Sequence, residues 1–276
     1  MSTSSAFSKI YYFFIGIIMS ICLTLDIPMK AIGKPLDLTG YEMVWSDEFD
    51  GDALDTTKWR GHNMTLGGGP SQIYSDGYYS DRCIAVKDGN LILSIRYLDG
   101  SEEGYPEGWY FASVDSQPGF EGTYGYYEIR AKVAKAVAGN CAFFLQNGYT
   151  MDESKPASAG AEIDIMESMR YGVDHEGSIE NNIHYYDKGG HQRLHARWVI
   201  VDGNPYEEFH TYGVKWDSKG YTFYVDGKEC RNTDFGLSHS PEYIVLDIMM
   251  RDFAKQSIVG DSADFVVDYV HVYQQQ

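Results

Sequence analysis

The chain has 276 residues, with 40 acidic against 22 basic side chains and a formal net charge of −18. A charge this negative, with no run rich in Lys and Arg, disfavours nucleic acid, anionic membranes and sulfated polymers as partners. Hydrophobic residues make up 43% of the chain and aromatic residues 15%, including 23 Tyr, so the chain can bury a sizeable core and is not disordered. Neutral ligands remain as the favoured class.

The chain begins with a short apolar segment. Lys9 precedes Ile10 to Leu25, a run too short and too early to predict a membrane span but typical of the central region of a secretory signal. We therefore predict that residues 1–31 are a signal peptide and that the protein is secreted. Met29-Lys30-Ala31 offers a small residue only at its last position, so an uncleaved N-terminal anchor is the alternative.

Cysteine usage indicates no disulfide scaffold. Cys22 falls in the predicted signal, and Cys83, Cys141 and Cys230 permit one disulfide in any of three pairings plus one free thiol. No CxxC motif occurs, which disfavours a structural zinc site. Cys141 stands in an apolar run and is predicted to be a small buried residue.

From Leu36 onward, alternating apolar and polar residues predict strands, and no helix-period stripe of convincing length occurs. Leu91 to Tyr97 and Tyr127 to Val133 each alternate with one apolar face. Asp226-Gly227 is the strongest hairpin signal. Further strands are predicted at Ile183 to Asp187, Arg197 to Val201, His210 to Trp216, Tyr221 to Val225, Tyr243 to Met250 and Phe265 to Tyr273.

The domain organisation follows from what interrupts these strands. Asp88-Gly89 and Asp202-Gly203 indicate further turns. No internal repeat, Pro-rich linker or break in composition divides the segment. We predict one all-β domain over residues 37–274, built as a sandwich or barrel.

The densest acidic segment among apolar residues is Glu162 to Glu167, with the sequence EIDIME. On a regular strand, Glu162 and Asp164 would share one face while Glu167 would be buried among isoleucines on the other. A β-bulge near Ile165-Met166 inserts one extra residue and returns Glu167 to the row of carboxylates. Two Glu side chains leaning inward from Cα atoms about 13 Å apart then approach to roughly 5 Å, the separation that a retaining glycosidase uses.

The third carboxylate of the row has a use in such a mechanism. Asp164 lies between the two Glu residues, so it can share a proton with Glu162, and the trio would titrate as a coupled set. Two other interpretations of the hexapeptide alone are a solvated strand face and a calcium site.

The hexapeptide resembles the active-site signature of glycoside hydrolase family 16, the laminarinase and lichenase group of β-glucanases, in its bulged E-x-D-x-x-E form. Four other segments resemble, in the family's order, its opening strand, its YGxxExRxK strand, its WYVDG hairpin and its closing strand: Val44 to Gly51, Tyr124 to Lys132, Tyr221 to Gly227 and Val267 to Gln274. The resemblance implies a concanavalin-like jelly roll, in which two curved antiparallel sheets form a sandwich with a glycan cleft on the concave face.

The resemblance also implies roles for individual residues. Glu162 resembles the nucleophile, Asp164 the assisting carboxylate and Glu167 the acid/base. His184 and Tyr186 fall where the family places sugar-contacting residues, with ordinary sheet surface as the alternative.

Other aromatic and histidine residues are weaker candidates. Trp109 and Trp216 are candidate stacking platforms, because a flat aromatic face suits the C–H face of a pyranose, although each could equally belong to the core. His191 and His195 have the i,i+4 spacing of metal ligands. Gln192 stands where a metalloprotease motif needs Glu, so we interpret this pair as part of a solvated loop.

Three departures from the family pattern affect the substrate. The family's WPAFW segment reads NCAFF at Asn140 to Phe144, which loses both tryptophans. Asp247 replaces the Asn often found after the LIL segment, and the loop Gly61 to Ser71 lacks the sequence that is usual in laminarinases. Since these segments shape the negative subsites, the sequence defines the chemistry better than the sugar.

Asp268 suggests a second site, because it interrupts an apolar row of valines, where a lone buried carboxylate needs a partner. Relatives often hold a structural Ca²⁺ on the convex face, and the resemblance implies Glu48, the Gly89 carbonyl and Asp268 as its ligands. The alternative is a hydrogen bond to a neighbouring loop. No cofactor is predicted for catalysis.

Together these features predict a secreted, monomeric, endo-acting retaining hydrolase of a neutral β-glucan with β-1,3 or mixed β-1,3/1,4 linkages. A β-galactanase or agarase of the same family, or a transglycosylase, is the alternative within the class. A non-catalytic carbohydrate-binding lectin of the same fold is the alternative from another class. The intact trio speaks against a lectin, since binding alone needs no acid/base pair.

Overall fold

The computed structural model describes residues 11–15, 18, 28–61, 71–74, 77–137, 139–169, 171–194, 197–250, 257–258, 260 and 262–276. Residues 11–15 and 18 are helical, and single 3₁₀ turns occur at Asp81–Cys83 and Ala157–Ala159. Within these ranges, no helix has the length and apolarity needed to cross a membrane. Strands dominate the rest, which confirms the all-β prediction.

The strands in chain order are β1 (Met29–Lys30), β2 (Tyr41–Asp47), β3 (Arg60–Gly61), β4 (Ser71–Tyr74), β5 (Gly77–Tyr79), β6 (Ile84–Lys87), β7 (Asn90–Leu98), β8 (Gly108–Asp115), β9 (Gly125–Lys132), β10 (Ala136–Val137), β11 (Gly139–Gln146), β12 (Glu162–Ser168), β13 (Ser178–Asp187), β14 (Gly190–Arg193), β15 (Arg197–Ile200), β16 (His210–Asp217), β17 (Gly220–Val225), β18 (Lys228–Thr233), β19 (Tyr243–Met250), β20 (Ser257–Ile258) and β21 (Ala263–Gln275). Each strand predicted from alternation is present, with its ends shifted by a few residues at most except for β13, which begins five residues earlier.

Two largely antiparallel layers form the sandwich. In the first, β13, β12, β11, β19 and β8 pair in that order, with β14 and β15 on the outer side of β13 and β3 beyond β8. In the second, β18, β17, β16, β9 and β21 pair in that order, and β21 continues to β2 with one half and to β7 with the other. The pairing of β7 with β8 connects the layers.

One hydrophobic core fills the space between the layers. Phe143 and Ile163 contribute from the first layer, and Val214 and Phe223 from the second, each without exposed surface. Because side chains alternate along a strand, the other face of the first layer is free to carry polar residues. That face holds the candidate site.

Two tight turns have the geometry that their sequences predict. Asp226 and Gly227 have φ values of 48° and 67° and join β17 to β18, while Asp88 and Gly89 have φ values of 52° and 72° and join β6 to β7. Positive φ at both central residues is the signature of the type I′ hairpin, which Asp-Gly favours.

The described cysteines form no disulfide. Cys83, Cys141 and Cys230 are free and buried, and burial raises the pKa of each thiol to about 12. The prediction that Cys141 is a small buried residue is confirmed. Cys22 lies outside the described residues.

The chain joins the sandwich upstream of the predicted domain start at residue 37. Met29 and Lys30, within the predicted signal, pair in parallel with Val199 and Ile200 of β15. The Gly33 N–H then donates to the Glu229 carbonyl at 2.9 Å.

Candidate active site

The row of carboxylates lies on β12, and its register contains the predicted bulge. Asp164 is opposite Asn182 and Glu167 is opposite Glu180, so three steps along β12 match two along β13. The register with β11 on the other side shifts at the same place. The extra residue changes the parity, so that Glu162, Asp164 and Glu167 share the face that points away from the core while the strand's isoleucines stay within it.

The row is sheltered rather than solvated. Asp164 and Glu167 are only 3% and 4% exposed, whereas Glu162 is half-buried. Burying carboxylates is costly without polar partners, so an arrangement of this kind indicates a functional site. The interpretation of the hexapeptide as a solvated strand face is therefore wrong.

Asn140 is a buried neighbour of Glu167 that sequence reasoning missed as a site candidate. It is 1% exposed on β11, and its Nδ2 donates to Oε1 of Glu167 at 3.2 Å. The sequence showed only that a family tryptophan was absent there. Asn140 shares the parity of Ala142, which lies opposite Glu167, so the contact follows once β11 and β12 are paired.

The other departures also lie on this face. Phe144 takes the place of the second lost tryptophan and lies opposite Asp164, half-buried, so an aromatic ring is retained beside the row. Asp247 is opposite Ala142 on β19 and is 5% exposed. Its Oδ2 accepts a 2.5 Å hydrogen bond from the Tyr79 hydroxyl. Asp247 is therefore a fourth carboxylate on the same face of the sheet as the row on β12.

Histidines border the row at the Glu162 end. His184 lies opposite Glu162 on β13, and its Nε2 is 3.3 Å from Oδ2 of Asp164. Nδ1 of His184 is 2.7 Å from Nε2 of His191. The Tyr186 ring lies nearly parallel to the His191 ring, with centroids 4.8 Å apart. The structure thus brings the two predicted sugar-contacting residues to the row.

The interpretation of His191 as part of a solvated loop needs correction. It lies on β14, paired with Tyr186, and its ring contacts His184. Its predicted companion His195 lies outside the described residues.

The two candidate tryptophans differ. Trp216 has no exposed surface, because it shares the inner face of β16 with Val214, and its Nε1 donates to the Ser238 carbonyl at 3.1 Å. Its prediction as a sugar platform is wrong, since a wholly buried indole cannot meet a glycan. Trp109 is half-buried at the start of β8, edge to face with Tyr97 at 5.3 Å, and stays a candidate.

Two of the three predicted calcium ligands have other partners in the structure. The register of β21 shifts between Val267 and Tyr269, which places Asp268 on the outer face with 32% of its side chain exposed. Its carboxylate pairs with Arg130, and the Glu48 carboxylate is 2.7 Å from Nε2 of His271. Asp268 is therefore neither fully buried nor unpaired, so the premise of the predicted calcium site is wrong. The positive charge of the adjacent Arg130 guanidinium disfavours binding of a cation to Asp268.

Comparison with known proteins places this architecture in a class. A jelly-roll sandwich whose open face carries a bulged strand of carboxylates is typical of carbohydrate-active proteins. A family model described as "Beta-porphyranase A-D, GH16 domain" matches residues 42–274. The chain therefore belongs to glycoside hydrolase family 16, as the sequence motifs indicated.

Relatives of two kinds share the sequence. Beta-porphyranase E of Zobellia galactanivorans is 30% identical over 67% of this chain and 65% of its own length. Glucan endo-1,3-beta-glucosidase A1 of Niallia circulans is 25% identical over 89% of this chain and 40% of its own length. The chain spans less than two thirds of the length of either relative.

Solved structures confirm the fold. The laminarinase catalytic domain from Thermotoga maritima superposes with a TM-score of 0.67 at 24% identity, covering 86% of this chain and 99% of that one. At this identity the likeness shows the concanavalin-like jelly roll alone.

Proposed function

We propose that the protein is an endo-acting, retaining glycoside hydrolase of a β-linked polysaccharide. The observation that carries the proposal is the bulged β12, which holds Glu162, Asp164 and Glu167 on one sheltered face. Two Glu residues separated by one such row can act on opposite sides of a glycosidic bond. The N-terminal apolar segment supports secretion as part of the same proposal.

The chemistry proceeds in two displacements. In the first, the Glu162 carboxylate attacks the anomeric carbon, the glycosidic C–O bond breaks, and Glu167 donates its proton to the leaving oxygen. In the second, Glu167 removes a proton from water, which attacks the glycosyl-enzyme and releases Glu162. Asp164, which lies beside His184, assists the nucleophile Glu162. Two inversions at the anomeric carbon leave its configuration unchanged.

For the substrate we propose a galactan of the porphyran type. Porphyran carries sulfate esters, so this choice departs from the expectation that the net charge of −18 disfavours sulfated polymers; that charge is summed over the whole chain and does not describe the open face at β12. The match to a porphyranase family model over residues 42–274 supports this choice, as do relatives named Beta-porphyranase E, B and D at 28–30% identity. Asn140 and Phe144, in place of the laminarinase tryptophans, change the floor of the face in the region that contacts sugar.

A β-1,3 or mixed β-1,3/1,4 glucan is the second candidate. The sequence motifs favoured it, and a Beta-glucanase of Acetivibrio thermocellus is 30% identical over 60% of this chain. A neutral glucan also suits the net charge of −18.

A hydrolysis panel separates the candidates. We expect release of new reducing ends from porphyran or agarose to exceed release from laminarin, lichenan and xyloglucan by at least about tenfold in kcat/KM, a difference of roughly 1.4 kcal/mol. Faster cleavage of laminarin or lichenan would overturn the galactan in favour of the glucan. Glycan binding without any reducing-end release would instead identify a lectin.

Replacing Asn140 by Leu should slow the reaction without weakening substrate binding. The variant keeps the side-chain size but removes the donor that holds Oε1 of Glu167, so the carboxyl group loses its fixed orientation. We expect kcat to fall about tenfold, the worth of roughly one hydrogen bond, with KM little changed.

Two comparisons test this role. An aryl glycoside with a good leaving group needs little help from an acid, so it should be less affected by Asn140→Leu than the polysaccharide is. Asn232→Leu, which removes an exposed amide on the other layer, should leave both rates unchanged. An equal loss on both substrates would assign Asn140 a structural role only.

A further inference from the structure

Two of the carboxylates proposed to act on sugar form, together with a histidine, a cluster with the composition of a metal site. Glu162, Asp164 and His184 each bring one ligand atom to within 4.8 Å of the other two. Two carboxylates and one imidazole form a donor set that Zn²⁺ accepts, with a fourth position open to water. No other group of three such residues in the described part of the chain meets this condition.

The separation of two of these atoms suits zinc. Nε2 of His184 lies 3.3 Å from Oδ2 of Asp164. Ligand atoms bound tetrahedrally at about 2.0 Å from zinc are about 3.3 Å apart, so these two need no rearrangement to share an ion. Larger oxygen-bound cations such as Ca²⁺ use six to eight oxygen ligands and rarely an imidazole, which argues against them here.

The three residues of the cluster differ in their exposure to solvent. Asp164 is 3% exposed and therefore held in place. Glu162 is half-buried and the His184 side chain is 15% exposed, so an ion can reach both from the open face.

His191 supplies the partner that a metal-binding imidazole requires. A histidine that binds a metal through Nε2 must carry its proton on Nδ1 and commonly donates it to a neighbouring acceptor. Nδ1 of His184 is 2.7 Å from Nε2 of His191, which can accept that proton when it is unprotonated. Without an ion, the same pair can reverse, so that His191 donates and His184 donates in turn to Asp164.

We propose that Glu162, Asp164 and His184 form a reversible Zn²⁺ site, oriented by His191, that competes with substrate for the nucleophile. Zinc binding stands on the cluster alone, whereas its effect on turnover rests on the proposed function. An ion bound to Glu162 withdraws the electron pair that would attack the sugar and occupies the space beside it. Zinc thus acts as an inhibitor of this enzyme and not as a cofactor.

Isothermal titration calorimetry of the full chain with ZnCl₂ measures the stoichiometry and affinity of zinc binding and so tests the site directly. We expect one ion per chain, at least about 100-fold weaker binding after His184→Gln, and about tenfold weaker binding after His191→Phe, which keeps an aromatic ring against Tyr186 but removes the acceptor. His239→Gln removes an exposed histidine bonded to Tyr124 on another part of the surface and should bind zinc as the native protein does.

Kinetics then test the competition. On the best substrate of the panel, zinc should raise the apparent KM with little effect on kcat, and EDTA should restore the rate. Unchanged zinc affinity in His184→Gln, or zinc binding that leaves KM unaffected, would overturn the proposal. If no substrate is hydrolysed, the proposed function fails, while titration of the variants still decides whether the zinc site exists.

Discussion

Replacing Glu162 by Gln should reduce hydrolysis of the preferred polysaccharide by more than about a thousandfold while the protein stays folded. The amide is nearly the same size as the carboxylate but cannot attack the anomeric carbon, so the first displacement is lost. Initial-rate assays over a range of enzyme concentrations measure the loss, and thermal unfolding checks the fold. Glu153→Gln removes one exposed carboxylate from the loop before β12 and should retain full activity.

Replacing Glu167 by Ala should lower the rate of polysaccharide hydrolysis about a hundredfold to ten thousandfold, because the acid and base steps both depend on this residue. Azide distinguishes the two Glu residues on an activated aryl glycoside. With Glu167→Ala, azide attacks the glycosyl-enzyme without a general base and yields a β-glycosyl azide. With Glu162→Ala, azide can only replace the nucleophile and yields the α product. Full activity in Glu162→Gln or in Glu167→Ala, or the opposite stereochemistry of the azide products, would refute the assignment.

A buried acid next to the start of β12 gives the second large effect. Glu242 has no exposed surface, and its Oε1 accepts hydrogen bonds from the Ser238 hydroxyl at 2.6 Å and from the Ala161 N–H at 3.2 Å. Ala161 directly precedes Glu162, so this carboxyl group anchors the start of β12. Burial raises the pKa of Glu242 from its ordinary value of 4.5 to about 8.

This raised pKa makes stability depend on pH in a definite direction. Below pH 4.5 the group is protonated in both folded and unfolded chains, so its favourable contribution is fully present. As the pH rises towards 8, the unfolded chain ionises while the folded one resists, and the free energy of unfolding falls by about 1.4 kcal/mol per pH unit. Above pH 8 both states are ionised and the loss is complete.

The stability of Glu242→Gln relative to the native protein should therefore rise between pH 5 and pH 8, by roughly 3 to 4 kcal/mol. The amide keeps the acceptor oxygen for Ser238 and Ala161 and cannot ionise. Urea unfolding of both proteins at pH 5, 6.5 and 8 measures the difference, with Glu153→Gln as the exposed control. Parallel pH dependences of native protein and Glu242→Gln would show that Glu242 does not titrate in this range.

The bulge at Glu162 to Glu167 was predictable because two local rules conflict there. Strict alternation would have buried Glu167 among isoleucines, and one extra residue removes that cost. The hairpin at Asp226-Gly227 was predictable for a similar reason, since Asp-Gly favours positive φ at both central positions.

Other features depend on contacts that alternation does not contain. Trp216 alternates correctly, but the pattern does not say which face of a strand meets the core of a sandwich; its shared parity with Val214 was the available signal. Asn140 contacts Glu167 only because β11 pairs with β12. Asp268 showed a similar conflict, since it interrupts an apolar row, but the sequence suggested a cation as its partner. The register of β21 shows that a second bulge removes the conflict instead.

The configuration of the newly formed reducing end tests the central claim most directly. Proton NMR spectra recorded in the first minutes of cleavage of the preferred β-linked polysaccharide resolve the two anomers before they interconvert. A double displacement at Glu162 with Glu167 as acid/base predicts that the β-anomer appears first and the α-anomer later, by mutarotation. Initial appearance of the α-anomer would show a single displacement and contradict the account of this site.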